Sequence, residues 1–255
     1  MHIGEFFKIA TDVIGGLAIF LLGMKYMSEG LQAISGDRMR KMISAITNNR
    51  VMGVVVGIFV TCLVQSSSVT TVMVVGFVNS SIMTLMQAIG VIFGANIGTT
   101  ITGWILVLKI GKYGLPILAV AAFFFLFSKN ERIRYIGMTV MGIGMVFFGL
   151  HLMKDGFKPL RSMEEFKAWF HACDVIMADG GISYLNVIKC AAVGMILTMI
   201  VQSSSATLGI TIGLASTGVI DYPTAAALVM GENIGTTVTA LLASIGTTVA
   251  AKRAA

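Results

Sequence analysis

Long apolar runs separated by short polar interruptions occupy most of this chain, and they predict an all-α protein. The runs are continuous rather than alternating, which favours helices over the strands of a membrane β-barrel. A helix rises about 1.5 Å per residue, so about 20 apolar residues cross a hydrocarbon core of about 30 Å. We therefore predict spanning helices at residues 12–33, 82–110, 115–127, 135–153 and 222–245.

Two further apolar stretches, at 51–78 and 187–219, are each interrupted by the polar sequence Gln-Ser-Ser-Ser. We call these interruptions the serine motifs; they lie at 65–68 and 202–205. The arm before the first motif, residues 51–64, is about 21 Å long as a helix and too short to span. Each stretch is therefore either one broken spanning helix or a re-entrant hairpin whose tip lies near the middle of the bilayer.

The positions of the basic residues favour the hairpin. With a hairpin at both stretches, one face of the membrane carries Arg38, Arg40, Lys41, Arg50, Lys129, Arg132, Arg134, Lys252 and Arg253. Only Lys109 and Lys112 then lie in a short connection on the opposite face. Because basic connecting segments tend to remain in the cytoplasm, the more basic face is predicted to be cytoplasmic.

An internal duplication relates the two halves of the chain. Gln202 follows Gln65 by 137 positions, and the same offset relates two seven-residue sequences that begin at Gly94 and Gly231. These read Gly-Ala-Asn-Ile-Gly-Thr-Thr and Gly-Glu-Asn-Ile-Gly-Thr-Thr, agree at six of seven positions, and we call them the asparagine motifs. Two matches at one offset indicate a duplication, so we predict repeats at 12–134 and 135–255.

Each repeat is predicted to hold a spanning helix, a hairpin that does not cross, and a helix broken at the asparagine motif. The first repeat adds the helix at 115–127, making three crossings, and an odd number inverts the repeat that follows. The serine motifs should then enter from opposite faces and meet centrally. The second repeat has no counterpart of that helix, so we expect either a truncated chain, which we favour, or a helix supplied by a homodimer partner. The segment at 158–186 is expected to form an external loop with an interfacial helix.

Composition agrees with a multi-pass membrane protein. Of the 255 residues, 56% are hydrophobic and 12% are charged, whereas soluble domains carry about 25% charged residues. The net charge of +6 would suggest a nucleic-acid partner for a soluble protein, but here the basic residues are topology signals, and no such partner is predicted. The three cysteines lack metal-ligand spacing and receive no chemical role.

The two kinds of motif differ in the ions they suit. Three consecutive serines offer hydroxyls and backbone N–H groups at the start of a helix, where tetrahedral oxyanions bind. The asparagine motif, with side-chain oxygens and the carbonyls of an unwound helix, offers hard neutral ligands for a small cation such as sodium. No Lys or Arg lies inside any of the four motifs, so a doubly charged anion would need cations beside it. Isolated serines in membrane helices often only pack, but two copies at equal spacing favour function.

The candidate ligands follow from these motifs. The predicted oxyanion ligands are Ser66, Ser67, Ser68, Ser203, Ser204 and Ser205. The predicted sodium ligands are Gln65, Asn96, Thr99, Thr100, Gln202, Asn233, Thr236 and Thr237. Glu232, whose counterpart is Ala95, is either a cation ligand or proton carrier, or the partner of a basic helix end. Glu29 and Asp155 are interpreted as capping or interface residues at helix ends, and His151 as an interfacial residue rather than a ligand.

The paired serine and asparagine motifs resemble those of the type II sodium/phosphate cotransporter family, including its bacterial members, over roughly residues 15–250. The resemblance implies sodium-coupled transport of inorganic phosphate in the bacterial inner membrane. It places phosphate at the serine motifs and sodium at the neighbouring Asn and Thr residues. No cofactor other than the coupling sodium ions is implied.

Three alternative functions could use the same serine motifs. The same hairpins could form a passive anion channel without coupling ligands, or a transporter of another oxyanion. An intramembrane hydrolase using Ser66, Ser67 or Ser68 as nucleophile would need a general base. His2, His151 and His171 lie at the terminus, near the membrane boundary and in the predicted external loop, so we predict that the protein is not an enzyme.

Overall fold

The computed structural model describes residues 3–44, 49–108, 110–163, 174–176 and 181–255. Within these ranges the chain forms ten α-helices, and its β-structure is limited to one isolated bridge between Ile176 and Ile182. The helices are α1 (Ile3–Ser44), α2 (Arg50–Val64), α3 (Ser67–Asn79), α4 (Leu85–Val107), α5 (Gly114–Phe127), α6 (Glu131–Phe157), α7 (Tyr184–Val201), α8 (Ser204–Thr217), α9 (Tyr222–Ala243) and α10 (Val249–Ala254). The all-α prediction is confirmed.

Five helices of the described chain are long and apolar enough to cross a bilayer. They cover Phe7–Ser35, Leu85–Val107, Glu131–Leu160, Tyr184–Val201 and Tyr222–Ala243. The prediction of a multi-pass helical membrane protein is therefore confirmed. Two helices differ from the predicted spanning helices. We assigned α7 to a hairpin, but it is long enough to span, whereas α5, which we predicted to span, has only 14 residues.

The first helix is longer than the apolar pattern predicts. It extends from Ile3 to Ser44, beyond the expected bounds of 12–33, and takes in the basic residues Arg38, Arg40 and Lys41. Arg, Lys and Met have high helix propensity, so a polar sequence rich in them can continue the helix. The predicted interfacial helix within 158–186 lies mostly outside the described residues, as do Lys109, His2 and His171.

The prediction that two helices are broken at the asparagine motifs is wrong. Both α4 and α9 are continuous through these sequences. The glycines serve close packing instead: a β-carbon at Gly94 would overlap the carbonyl oxygen of Val54, and one at Gly231 would overlap that of Ala191. Small residues at such contacts let two membrane helices approach closely, and this requirement explains the glycines without a break.

The chain divides into two compact units, each assembled from several segments. Unit 1 comprises Met1–Met24, Leu106–Leu118 and Gly142–Gly235, and unit 2 comprises Lys25–Ile105, Ala119–Met141 and Thr236–Ala255. Each unit contains one serine motif with the helices on either side of it. In unit 2 the apolar residues of α2 and α3 share one core cluster, to which α10 contributes Ala251 and Ala254.

Candidate functional site

The first serine motif forms a tight turn between α2 and α3. Gln65 adopts a left-handed conformation with φ 55° and ψ 26°, and its N–H donates to the carbonyl oxygen of Thr61 at 2.6 Å. Ser66 is extended and caps α3, because its hydroxyl oxygen accepts from the N–H of Val69 at 3.3 Å. Serine is a favoured N-cap, so this sequence both ends one helix and begins the next.

The side chain of Gln65 is held at both polar atoms. Its Nε2 donates to the carbonyl oxygen of Cys62 at 2.5 Å, and its Oε1 accepts from the hydroxyl of Thr102 at 3.0 Å. Only 8% of the residue is exposed. A left-handed conformation costs a non-glycine residue about 1–3 kcal/mol, and these bonds help to offset that strain. The predicted sodium ligand Gln65 therefore also joins the turn to α4.

The second serine motif repeats this backbone geometry in unit 1. Gln202 has φ 55° and ψ 25°, and its N–H donates to the carbonyl oxygen of Thr198 at 2.8 Å. Ser203 caps α8 through an N–H from Ala206 at 3.3 Å. The side-chain Nε2 of Gln202 donates to the carbonyl oxygen of Met199, but the residue is exposed, unlike Gln65. The two turns thus share their backbone and differ in the surroundings of the glutamine.

The remaining serines begin the second helix of each hairpin. Ser67 is the first residue of α3 and is buried, and Ser68 is partly buried. Ser204 is the first residue of α8 and is partly buried, and Ser205 is buried. The first N–H groups of any α-helix lack partners within that helix. Each serine motif therefore combines hydroxyls with the positive end of a helix, which is the chemistry of an anion site.

The asparagine motifs place their polar side chains along continuous helices. Asn96 and Thr100 are exposed on α4, as Asn233 and Thr237 are on α9. Thr99 and Thr236 are partly buried. The Thr99 hydroxyl donates to the carbonyl oxygen of Ala95 at 3.2 Å, and that of Thr100 to Ile97 at 2.7 Å. Because the helices are unbroken, side-chain oxygens rather than unwound carbonyls are what these motifs offer a cation.

A threonine four residues before each serine motif packs against a glycine of the asparagine motif in the same repeat. A β-carbon built on Gly98 would lie 2.8 Å from Cβ of Thr61, and one built on Gly235 would lie 2.8 Å from Cβ of Thr198. Our sequence reasoning missed these threonines. They obey the 137-residue offset, which could have identified them, since Thr198 follows Thr61 by that number.

Glu232 is a buried carboxylic acid that occurs in one repeat only. It is 2% exposed, and Oε1 accepts from the hydroxyl of Thr211 at 2.7 Å. At the equivalent positions of the first repeat stand Ala95 and Val74, both fully buried. The buried polar pair Glu232 and Thr211 of the second repeat is thus replaced by two apolar residues in the first repeat.

His151 and Asp155 lie near the end of α6, but the prediction of a helix end is wrong for Glu29, because α1 continues to Ser44. In unit 2, Lys25 lies 3.8 Å from Glu29. In unit 1, Asp155 lies 2.7 Å from Lys158 and 3.5 Å from His151. Such exposed pairs contribute little to stability, about 0–1 kcal/mol.

Comparison with known proteins supports the resemblance. The family model described as "Na+/Pi-cotransporter" matches residues 19–155 and 183–253. The "Putative inorganic phosphate export protein YjbB" of Salmonella typhimurium is 28% identical over 244 residues, which cover 95% of this chain and 43% of that protein. The "Uncharacterized protein YqeW" of Bacillus subtilis is 26% identical over 239 residues, 94% of this chain and 74% of that protein.

A human protein also matches over a shorter range. "Sodium-dependent phosphate transport protein 2B" is 41% identical over 98 residues, 38% of this chain and 14% of that protein. The chain spans less than half the length of the phosphate export protein that it matches. No solved structure matches it. Its spanning helices and bacterial relatives identify a multi-pass protein of the bacterial inner membrane. Because the family model matches most of its length, the chain belongs to the Na+/Pi-cotransporter family.

Proposed function

We propose that this protein is a secondary transporter that moves inorganic phosphate across the membrane coupled to sodium. The observation that carries the proposal is the repeated serine turn, with the same backbone angles and the same N-cap in both units. Relatives named for phosphate export and for sodium-dependent phosphate transport support phosphate as the substrate and sodium as the coupling ion. Membership of a transporter family also supports a role other than catalysis.

Phosphate is proposed to bind at the two serine motifs. The ligands would be hydroxyls and helix N-terminal N–H groups, which bind tetrahedral oxyanions without a basic side chain. These residues are Ser66, Ser67, Ser68, Ser203, Ser204 and Ser205. The hydroxyl oxygen of the first serine of each motif accepts a backbone N–H, and its O–H hydrogen remains a donor, as do those of the second and third serines.

Sodium is proposed to bind at the asparagine motifs, through Asn96, Thr99, Thr100, Asn233, Thr236 and Thr237. Their oxygens are neutral and hard, as sodium requires, and Glu232 would add a negative charge in the second repeat. Gln65 and Gln202 remain proposed ligands, and the bonds of Gln65 support a positioning role as well. Since the four motifs contain no Lys or Arg, cations are proposed to balance the charge of phosphate.

The transport cycle is proposed to use the duplication. In inverted-repeat transporters, relative motion of the two repeats alternates access to one site. The re-entrant placement of the two hairpins and the opposite orientation of the repeats are parts of this proposal. They are supported by the short lengths of α2 and α3, 15 and 13 residues, and by the shared 137-residue offset.

Labelled phosphate flux into proteoliposomes tests the proposal. We expect flux that depends on an imposed sodium gradient and that is lost when choline replaces sodium. Flux unchanged by that replacement would overturn sodium coupling. Reversing the sodium gradient measures which direction of transport is favoured.

The same assay separates a transporter from a passive anion channel. Asn96→Ala and Asn233→Ala should lower the apparent sodium affinity of a transporter, since each removes a proposed ligand. A channel should conduct equally in both variants. Ser80→Ala, at an exposed residue that donates to its own helix, serves as the control.

A further inference from the structure

Each hairpin contains a pair of buried threonines that meet across the turn. In unit 2 the hydroxyl of Thr61, on α2, donates to the hydroxyl oxygen of Thr70, on α3, at 3.2 Å. In unit 1 the hydroxyl of Thr198, on α7, donates to that of Thr207, on α8, also at 3.2 Å. All four residues are buried. We call these the threonine pairs.

The threonine pairs are bonded to the backbone on both sides of the serine turns. The hydroxyl of Thr70 donates to the carbonyl oxygen of Ser66 at 3.0 Å, and Thr207 makes the same bond to Ser203 at 3.0 Å. The carbonyl oxygen of Thr61 accepts the N–H of Gln65. One continuous set of hydrogen bonds therefore surrounds the turn that presents the serine hydroxyls.

The first member of each pair also contacts the asparagine motif. Thr61 lies against Gly98 and Thr198 against Gly235, so closely that a β-carbon on either glycine would collide with the threonine. A threonine inside a membrane helix often bonds back to a carbonyl of its own helix. Here the hydroxyl of the first threonine instead donates to the other arm in both copies, which argues against simple packing.

We propose that Thr61 and Thr198 are positioning residues that hold each serine motif at a set distance from the asparagine motif of the same repeat. This inference rests on the proposed function, because it assigns these threonines to the coupling between the anion site and the cation site. Binding of a cation that shifts the asparagine motif would be transmitted through the threonine to the serine turn. Removing the hydroxyl should therefore reduce the factor by which sodium and phosphate raise each other's affinity, in a protein that still folds.

The test uses variants that separate the hydroxyl from its volume. Thr61→Val and Thr198→Val keep the shape but remove the donor, whereas Thr61→Ser and Thr198→Ser keep the donor. Phosphate affinity is measured by calorimetry on the purified full chain in detergent, with and without sodium. The ratio of the two dissociation constants reports the coupling, which must be reciprocal between the two ions. Thr217→Val is the matched control, because its hydroxyl bonds only to carbonyls of its own helix.

In each Val variant, the factor by which sodium raises phosphate affinity should fall about tenfold, equivalent to about 1.4 kcal/mol. The phosphate affinity measured without sodium should change less than twofold. The Ser variants should restore the enhancement. Wild-type coupling in both Val variants, or Ser variants as impaired as Val, would overturn the proposal.

Hydrogen exchange separates this outcome from failure of the proposed function. If the wild-type protein shows no sodium-dependent phosphate binding, both the proposed function and the coupling role are lost. Amide hydrogen exchange still tests whether Thr61 positions the turn. Thr61→Val should accelerate exchange severalfold at residues 62–70 and leave the exchange rates at 199–207 unchanged. Equal exchange in the variant and the wild type would refute the positioning role.

Discussion

The two hairpins, α2–α3 in unit 2 and α7–α8 in unit 1, share the same turn conformation but differ in the exposure of their glutamine side chains. Their glutamines have the same φ of 55°, and their threonine pairs have the same separation of 3.2 Å. Gln65, however, is buried against Thr102, whereas Gln202 is exposed. The same turn geometry therefore forms with a buried and with an exposed glutamine side chain.

The helices that carry the asparagine motifs differ in one buried pair. The first repeat has Ala95 and Val74, and the second has Glu232 and Thr211 at the same positions. A buried carboxylic acid is costly in a membrane protein and usually has a function. The comparison indicates that the close helix contact is common to both repeats, whereas the acid occurs in only one of them.

The largest expected effect concerns the contact that the repeats share. Gly94→Ala and Gly231→Ala place a β-carbon on a carbonyl oxygen of the facing helix, so each pair of helices must separate. Overpacking costs about 1–3 kcal/mol or more, and we expect lower thermal midpoints and aggregation in detergent for both variants.

The control for these variants is Gly76→Ala, since a β-carbon there meets no atom within 4 Å. Alanine in a helix is favoured over glycine by about 1 kcal/mol, so the thermal midpoint of the Gly76→Ala protein should be equal to or higher than that of the wild type. Should Gly94→Ala or Gly231→Ala unfold at the same temperature as this control, the close contact is not needed in that repeat.

The next largest effect concerns Glu232 and Thr211, the buried polar pair that occurs in one repeat only. Glu232→Gln removes the charge but retains an oxygen that accepts from Thr211. If the acid is a cation ligand, apparent sodium affinity in the flux assay should fall by about tenfold, equivalent to about 1.4 kcal/mol.

Glu29→Gln is the matched control, because it removes an exposed carboxylate in a surface ion pair and should leave sodium affinity unchanged. A Glu232→Gln protein with wild-type sodium dependence would show that the acid serves packing. The two repeats would then be equivalent in their cation chemistry.

The smallest effect concerns the glutamine of the first hairpin. Thr102→Val removes one hydrogen bond to Gln65 Oε1, and the net contribution of such a bond to stability is about 1 kcal/mol. Hydrogen exchange should increase at residues 62–70 and remain unchanged at 199–207.

Thr11→Val, at an exposed residue that bonds to its own helix, provides the comparison for this variant. Equal exchange at 62–70 in the Thr102→Val and Thr11→Val proteins would mean that α4 does not hold the turn.

The sequence predicted the helical membrane fold, the serine turns and the family, but not the state of the asparagine motifs. Gly94 and Gly98 suit either a broken helix or a close helix contact, since the absence of a side chain permits both. The facing backbone of α2 decides between them, and which helix faces α4 cannot be read from local sequence. The contacts that Thr61 and Thr102 make were missed because they also join distant segments, although the 137-residue offset marks Thr61 and Thr198 as a repeated pair.

By itself, the sequence determined the apolar lengths of the helices and the duplicated order of polar residues, because both are properties of consecutive positions. It also determined the turns, since Ser66 and Ser203 cap helices that begin one residue later. Only the tertiary structure decided that Thr61 meets Thr70 and that Thr102 meets Gln65. These bonds depend on how closely helices approach one another, which is set by packing between distant segments of the chain.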